Sequence, residues 1–180
     1  MKQIELIHAL AAIDKHGCYV FLKRDFDKMF PEESSKAMEK SLSRMVAAGL
    51  LVRAAKGIYV NPTARSRTGW IIEDIARAMR PGCMSYVSME SILSEYGAIS
   101  QIPISRITIM TTGAGGLHKT PFGSIEYTHT KRSKANILSR TMLVEGRPLR
   151  IATKQAAIQD LVRVGRNVNM INWMAVSEGD

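Results

Sequence analysis

Cysteine is nearly absent from this chain of 180 residues. The two that occur, Cys18 and Cys83, stand alone, with no CxxC and no histidine pair beside them. That usage excludes a disulfide frame and a structural zinc site, and both thiols are read as buried or half-buried. Long apolar runs are missing as well. Nothing approaches the roughly 18 residues that a membrane helix needs, so no membrane partner is expected. Glu5 and His8 interrupt the early stretch that a signal peptide would keep apolar, and a cytoplasmic location is expected. Internal repeats and low-complexity tracts are also lacking.

Catalytic groupings are equally scarce. His8, His16, His118 and His129 are scattered, without HExxH, HxH or a cysteine at ligand spacing. The acidic pairs Glu73-Asp74 and Glu90 with Glu95 fall on predicted helices and are read as solvated charges. Gly113-Ala114-Gly115-Gly116-Leu117-His118-Lys119-Thr120 comes within one residue of a P-loop. His118, however, occupies the second glycine position, where the backbone must approach phosphate with no side chain in the way. Pro121-Phe122-Gly123 then leads to another strand instead of a helix, so the stretch is read as a glycine-rich hairpin loop. An enzyme, a resident metal and a cofactor are therefore not expected.

What the chain does have is positive charge: formally +9, with a pI near 9.8. Such a balance suits a protein that meets phosphate, because each neutralised phosphate releases counterions. Residues 1–62 hold ten Lys+Arg against seven Asp+Glu, and the remainder fifteen against nine, so both parts are basic. The 46% hydrophobic composition is enough to bury a core in one large domain or two small ones.

The most informative stretch is residues 35–48. Met38, Leu42, Met45 and Val46 share one stripe of a helix turning about 100° per residue, while Lys36, Lys40 and Arg44 gather on the far side. Pro31, Ser34 and Ser35 start this helix and Gly49 stops it. Leu51-Val52-Arg53 then runs through Ala55-Lys56-Gly57 into Ile58-Tyr59-Val60, a short hairpin with a basic tip. Two helices are predicted before it, at residues 3–15 (Ile4, Ile7, Leu10, Ala11 and Ile13 spaced for burial) and 23–30. The pattern predicts a winged helix-turn-helix over residues 1–62. Its DNA-binding set is Ser35, Lys36, Lys40, Ser43 and Arg44 on the helix, with Arg53 and Lys56 on the hairpin.

Residues 63–69 lack apolar periodicity and read as a linker. Helices follow at 70–79 and 86–96. Strand-like segments then occur at 106–111, 124–129, 141–144 and 149–152, and Thr153 caps a last helix through Val164. The fold class expected is α+β: an N-terminal winged helix-turn-helix, then a small α+β domain over 70–180 whose helices pack on an antiparallel sheet.

Within that second part several short motifs occur in one order: Pro81-Gly82, Tyr86-Val87-Ser88, Glu90-Ser91, Leu93, Tyr96-Gly97, Gln101-Ile102-Pro103, Arg106-Ile107-Thr108 and Thr111-Thr112-Gly113. Lys119-Thr120-Pro121-Phe122-Gly123, Ile125-Glu126 and His129-Thr130-Lys131-Arg132 complete the run. Over roughly residues 57–165 the chain resembles the AbiEi family of antitoxins, from the type IV toxin-antitoxin systems also met as abortive-infection operons in phage defence. The resemblance implies a transcriptional repressor of its own operon that binds inverted repeats in operator DNA; because a single winged helix buries a modest area, two copies are expected on such a repeat, as a homodimer on DNA. It also implies that the second domain counters a nucleotidyltransferase-type toxin without an obligatory stable complex. The basic set Lys119, Lys131, Arg132 and Lys134 is the candidate antitoxin surface. The alternative is a module that contacts the toxin, its target or RNA directly, with no sequence-specific DNA binding.

Overall fold

The computed structural model describes residues 1–99 and 105–173; Gln101-Ile102-Pro103 and Met174-Ala175-Val176 lie outside the described residues. The chain is α+β and divides into two compact units, Met1–Met79 and Arg80–Asp180.

The first unit runs α1 (Gln3–Asp14), β1 (Val20–Leu22), α2 (Lys23–Met29), α3 (Ser35–Ala47), β2 (Val52–Ala55), β3 (Ile58–Val60) and α4 (Ile71–Met79). Its three strands form an antiparallel sheet in the order β1-β3-β2. β1 was not expected from the sequence, although Tyr19-Val20-Phe21-Leu22 is the apolar, β-prone run that would announce it. Leu6, Leu10, Phe21, Phe26, Met38, Leu42, Met45 and Leu51 make the core, with Tyr59 edge-on to Phe26 at 5.7 Å. Truncating one of the fully buried residues, such as Leu42→Ala, removes about 2–5 kcal/mol.

On α1 the buried stripe differs from the expected one. Leu6 and Leu10 are buried and Ile13 packs against them, whereas Ile4 and Ile7 stand 56% and 43% exposed. Apolar residues occupy both faces of this helix, so periodicity alone could not choose between them.

The division between units also falls later than the sequence suggested. Asp14 accepts hydrogen bonds from the backbone N–H of Arg65 (2.9 Å) and Ser66 (3.1 Å) and from the Ser66 hydroxyl (2.6 Å), which fastens the segment read as a linker. These bonds, led by the Ser66 hydroxyl, hold the Asp14 carboxyl below its ordinary range. The Tyr19 hydroxyl then donates to Asp74 on α4 at 2.5 Å. α4 thereby packs on β1 and β3 and belongs to the first unit.

The second unit comprises β4 (Ser85–Val87), α5 (Met89–Glu95), β5 (Arg106–Thr111), β6 (Gly116–Thr120), β7 (Gly123–His129), α6 (Lys134–Ser139), β8 (Thr141–Met142), β9 (Arg150–Ala152) and α7 (Lys154–Val164). The strands lie in the order β6-β7-β5-β4-β9-β8. The sheet is mixed and not purely antiparallel, since β5 pairs with β7 and β4 with β9 in parallel. β6 is the reason for the first of these pairings. It leaves for the sheet edge and hairpins back, so β7 returns beside β5 in the same direction. Three further expectations are corrected. Residues 116–120 of the glycine-rich stretch are a strand. Tyr86-Val87, read as the start of a helix, pairs with Met110-Ile109. The sheet pairing of β8 stops at Met142, leaving Leu143 and Val144 outside it. No helix among the described residues is long and apolar enough to cross a membrane.

Candidate nucleic-acid interface

α3 begins because the Ser34 hydroxyl accepts the Ala37 N–H at 3.3 Å, an N-cap that satisfies one of the free donors of the first turn. Its inward stripe is Met38, Ser41, Leu42 and Met45, all buried. The opposite face is centred on Lys36, Lys40 and Ser43, with Arg44 on one shoulder and Glu39 on the other. All five are exposed. Ser35 is exposed as well. Neither Lys36 nor Lys40 has a carboxylate within ion-pair distance among the described residues.

The shoulders are braced. Arg44 Nη2 donates to the Ser41 hydroxyl at 3.0 Å, and that hydroxyl donates to Glu33 Oε2 at 2.9 Å, laying the guanidinium along the helix. Lys23 of α2 reaches over the other shoulder, its Nζ at 2.8 Å from both the Ser35 hydroxyl and Glu39 Oε1. The hydrogen bond from Lys23 holds the Glu39 carboxyl below its ordinary range, and Lys23 is correspondingly raised. The Ser43 hydroxyl donates to the Glu39 carbonyl at 2.9 Å, which leaves only its acceptor side open.

The hairpin between β2 and β3 turns at Lys56-Gly57. Gly57 has φ +72°, a left-handed conformation that glycine adopts without strain. Arg53 and Lys56 are exposed on this hairpin, and an irregularity between Arg53 and Ala55 bends β2. All seven residues expected to meet DNA are therefore at the surface of the first unit, on one helix and the hairpin that follows it. Sequence reasoning missed Lys23, Glu39 and Glu33. No local spacing ties Lys23 to Glu39, sixteen residues on.

In the second unit the basic residues are used differently. Arg132 is 14% exposed and its Nη1 lies 2.8 Å from Asp160 Oδ1, so it is not part of an open surface. Lys119, Lys131 and Lys134 are exposed but do not form one patch. Lys119 pairs with Ser124 near the start of β7, whereas Lys131 and Lys134 follow its last residue, His129. That separates them by roughly 17 Å of strand. Asp160, fully buried, also accepts from Tyr86 (3.0 Å) and Ser88 (2.7 Å) and pairs with Arg140 (3.0 Å). Burial, and then the Asp160 charge, push the Tyr86 hydroxyl far above its ordinary range. The acids read as solvated prove to be structural. Glu90 holds Arg166 at 3.1 Å, Glu95 holds Arg147 at 2.8 Å, and Glu73 is buried.

The two histidines of the second unit are also in structural roles, whereas His8 and His16 are exposed. His129 Nδ1 is 2.8 Å from the Gly113 carbonyl, and His118 lies 3.1 Å from Arg80, whose guanidinium stacks on Tyr127. Burial, and then Arg80, lower the His118 pKa. Cys18, expected to be at least half-buried, is exposed.

This α+β architecture in two units has counterparts. The chain belongs to DUF6088, a family of unknown function, which matches residues 7–170. Among solved structures it is similar to the crystal structure of the RV2827C protein from Mycobacterium tuberculosis, with a TM-score of 0.60 and 14% sequence identity. That likeness covers 88% of this chain and 60% of the other, and at such identity it speaks for the fold alone. No curated protein matches.

Proposed function

We propose that the first unit is a winged helix-turn-helix that binds operator DNA, and that the chain is a cytoplasmic autorepressor and type IV antitoxin of the kind its resemblance to AbiEi implies. The observation that carries the DNA-binding reading is the outward face of α3, where Lys36, Lys40 and Arg44 stand exposed with no carboxylate paired to any of them among the described residues. An α-helix about 10–12 Å across fits a major groove about 12 Å wide. In that pose Lys40, Arg44 and Ser43 reach base edges, and Lys36, Arg53 and Lys56 hold phosphates. The element order α1-β1-α2-α3-β2-β3, with β1 paired to β3, supports the winged-helix reading. A single module buries a modest area. Specific binding therefore calls for two copies on an inverted repeat, with half-sites roughly 34 Å apart. The antitoxin role rests on the resemblance alone, with a nucleotidyltransferase-type toxin as the functional partner.

The test is operator binding by a Lys40→Ala/Arg44→Ala double variant. A loss of affinity of roughly a hundredfold or more is expected, with only a small shift in thermal unfolding, because both side chains are exposed and the one hydrogen bond lost is that from Arg44 to Ser41. Affinity equal to that of the parent would remove α3 from the interface.

A further inference from the structure

The outward face of α3 is not uniformly basic. Glu39 lies on it one turn from Lys36 and Ser43, with its side chain 65% exposed. An acid on a surface meant for phosphate repels its ligand, so its presence there calls for a use. Lys23 fixes one oxygen: Nζ sits 2.8 Å from Oε1 and is itself anchored to the Ser35 hydroxyl at 2.8 Å. The second oxygen, Oε2, has no hydrogen-bond partner among the described residues, and the side chain as a whole is open to solvent. The ammonium offsets the carboxylate's charge toward the phosphates on either side. What remains is a hydrogen-bond acceptor held in a fixed place among donors.

We propose that Glu39 is a specificity-determining residue that accepts a hydrogen bond from the N4 amino group of cytosine in the major groove, with Lys23 as its positioning residue. The inference rests on the DNA-binding reading above. An ionised carboxylate can only accept, and the major-groove edges offer it two donors, cytosine N4 and adenine N6. Adenine N6 lies between two acceptors, its own N7 and thymine O4, and both repel a carboxylate. Cytosine N4 has an acceptor, guanine O6, on one side only. A single acidic side chain therefore favours C·G at the base pair it faces.

The experiment is selection of binding sites from randomised duplex DNA with the full chain, its Glu39→Gln variant and its Glu39→Ala variant. The parent is expected to enrich cytosine at one position in each half-site. The alanine variant should lose that preference, by roughly tenfold or more, while the rest of the motif stays as it was. Glutamine, which both donates and accepts, should move the same position toward adenine. Identical base frequencies in all three proteins, with the variants merely binding every sequence more tightly, would overturn the proposal and leave Glu39 as an electrostatic brake. A parent that enriches no motif at all would instead strike down the DNA-binding reading itself, so the two failures are separable. Glu39 is an exposed helix position, and matching unfolding curves for the three proteins would show that the variants fold.

Discussion

The two units are about equally basic, yet they spend their charge in opposite ways. Met1–Met79 carries thirteen Lys+Arg against nine Asp+Glu, and Arg80–Asp180 twelve against seven. In the first, the lysines and Arg44 of α3 and the cations of the β2–β3 hairpin stand outward with no carboxylate partner among the described residues. In the second, five arginines are tied to groups of the fold: Arg132 and Arg140 to Asp160, Arg147 to Glu95, Arg166 to Glu90 and Glu126, and Arg80 to the Tyr127 ring. Arginine suits that work because its planar fork makes several directed hydrogen bonds at once, whereas an ammonium is a compact, strongly hydrated point charge. Net charge therefore says little about where a surface is left open to a polyanion. The pairing state of each cation says more.

The sharpest way to break this contrast is to remove the buried acid. Asp160→Ala leaves two guanidinium groups and two hydroxyls without their acceptor, and about 3–5 kcal/mol of stability should be lost in urea denaturation. A loss below about 1 kcal/mol would mean that the arginines are not held by Asp160. Next comes a comparison of neighbours, Arg132→Gln against Lys131→Gln. The paired arginine should cost about 2 kcal/mol and the exposed lysine no more than about 0.5 kcal/mol. Equal costs would erase the distinction between inward and outward cations.

A smaller effect concerns the segment at residues 63–69. Asp14→Ala should speed tryptic cleavage after Arg65 and Arg67 severalfold, because three hydrogen bonds to that segment vanish. The same loosening is expected in acid. Since the folded state depresses the Asp14 pKa, its contribution is fully present above the usual value of 3.8 and is lost as pH falls below it. The smallest effect is Lys36→Gln. It should reduce the slope of log affinity against log salt for DNA by about one and leave base preference alone.

The first unit was more legible in the sequence than the second, and the reason is physical. α3 announces itself through a single apolar stripe, a serine cap and a glycine stop, all local, and the hairpin after it through Lys56-Gly57. α1 misled because Ile4 and Ile7 face away from Leu6 and Leu10, so two stripes compete. The order of the second sheet depends on β6 folding back at its edge, which no periodicity encodes. Its polar interior is less legible still. Asp160 meets Arg132, Arg140 and Tyr86 across 28, 20 and 74 residues of chain, and Glu90 meets Arg166 across 76. Acids on helices were read as solvated because, seen locally, that is the commoner fate. Only the tertiary fold brings their arginines to them.

The hold of Asp14 on residues 65 and 66, and of Tyr19 on Asp74, bears on how the gene is cut. A dissection guided by composition would stop at residue 62 and strip α4 from the sheet it covers, laying bare the partners of Ile75 and Ala76, both fully buried. Failure of such a fragment to repress would report a broken hydrophobic core and not a missing effector. A cut after Met79 keeps the whole unit, and that fragment can test whether the proposed DNA binding resides in it alone.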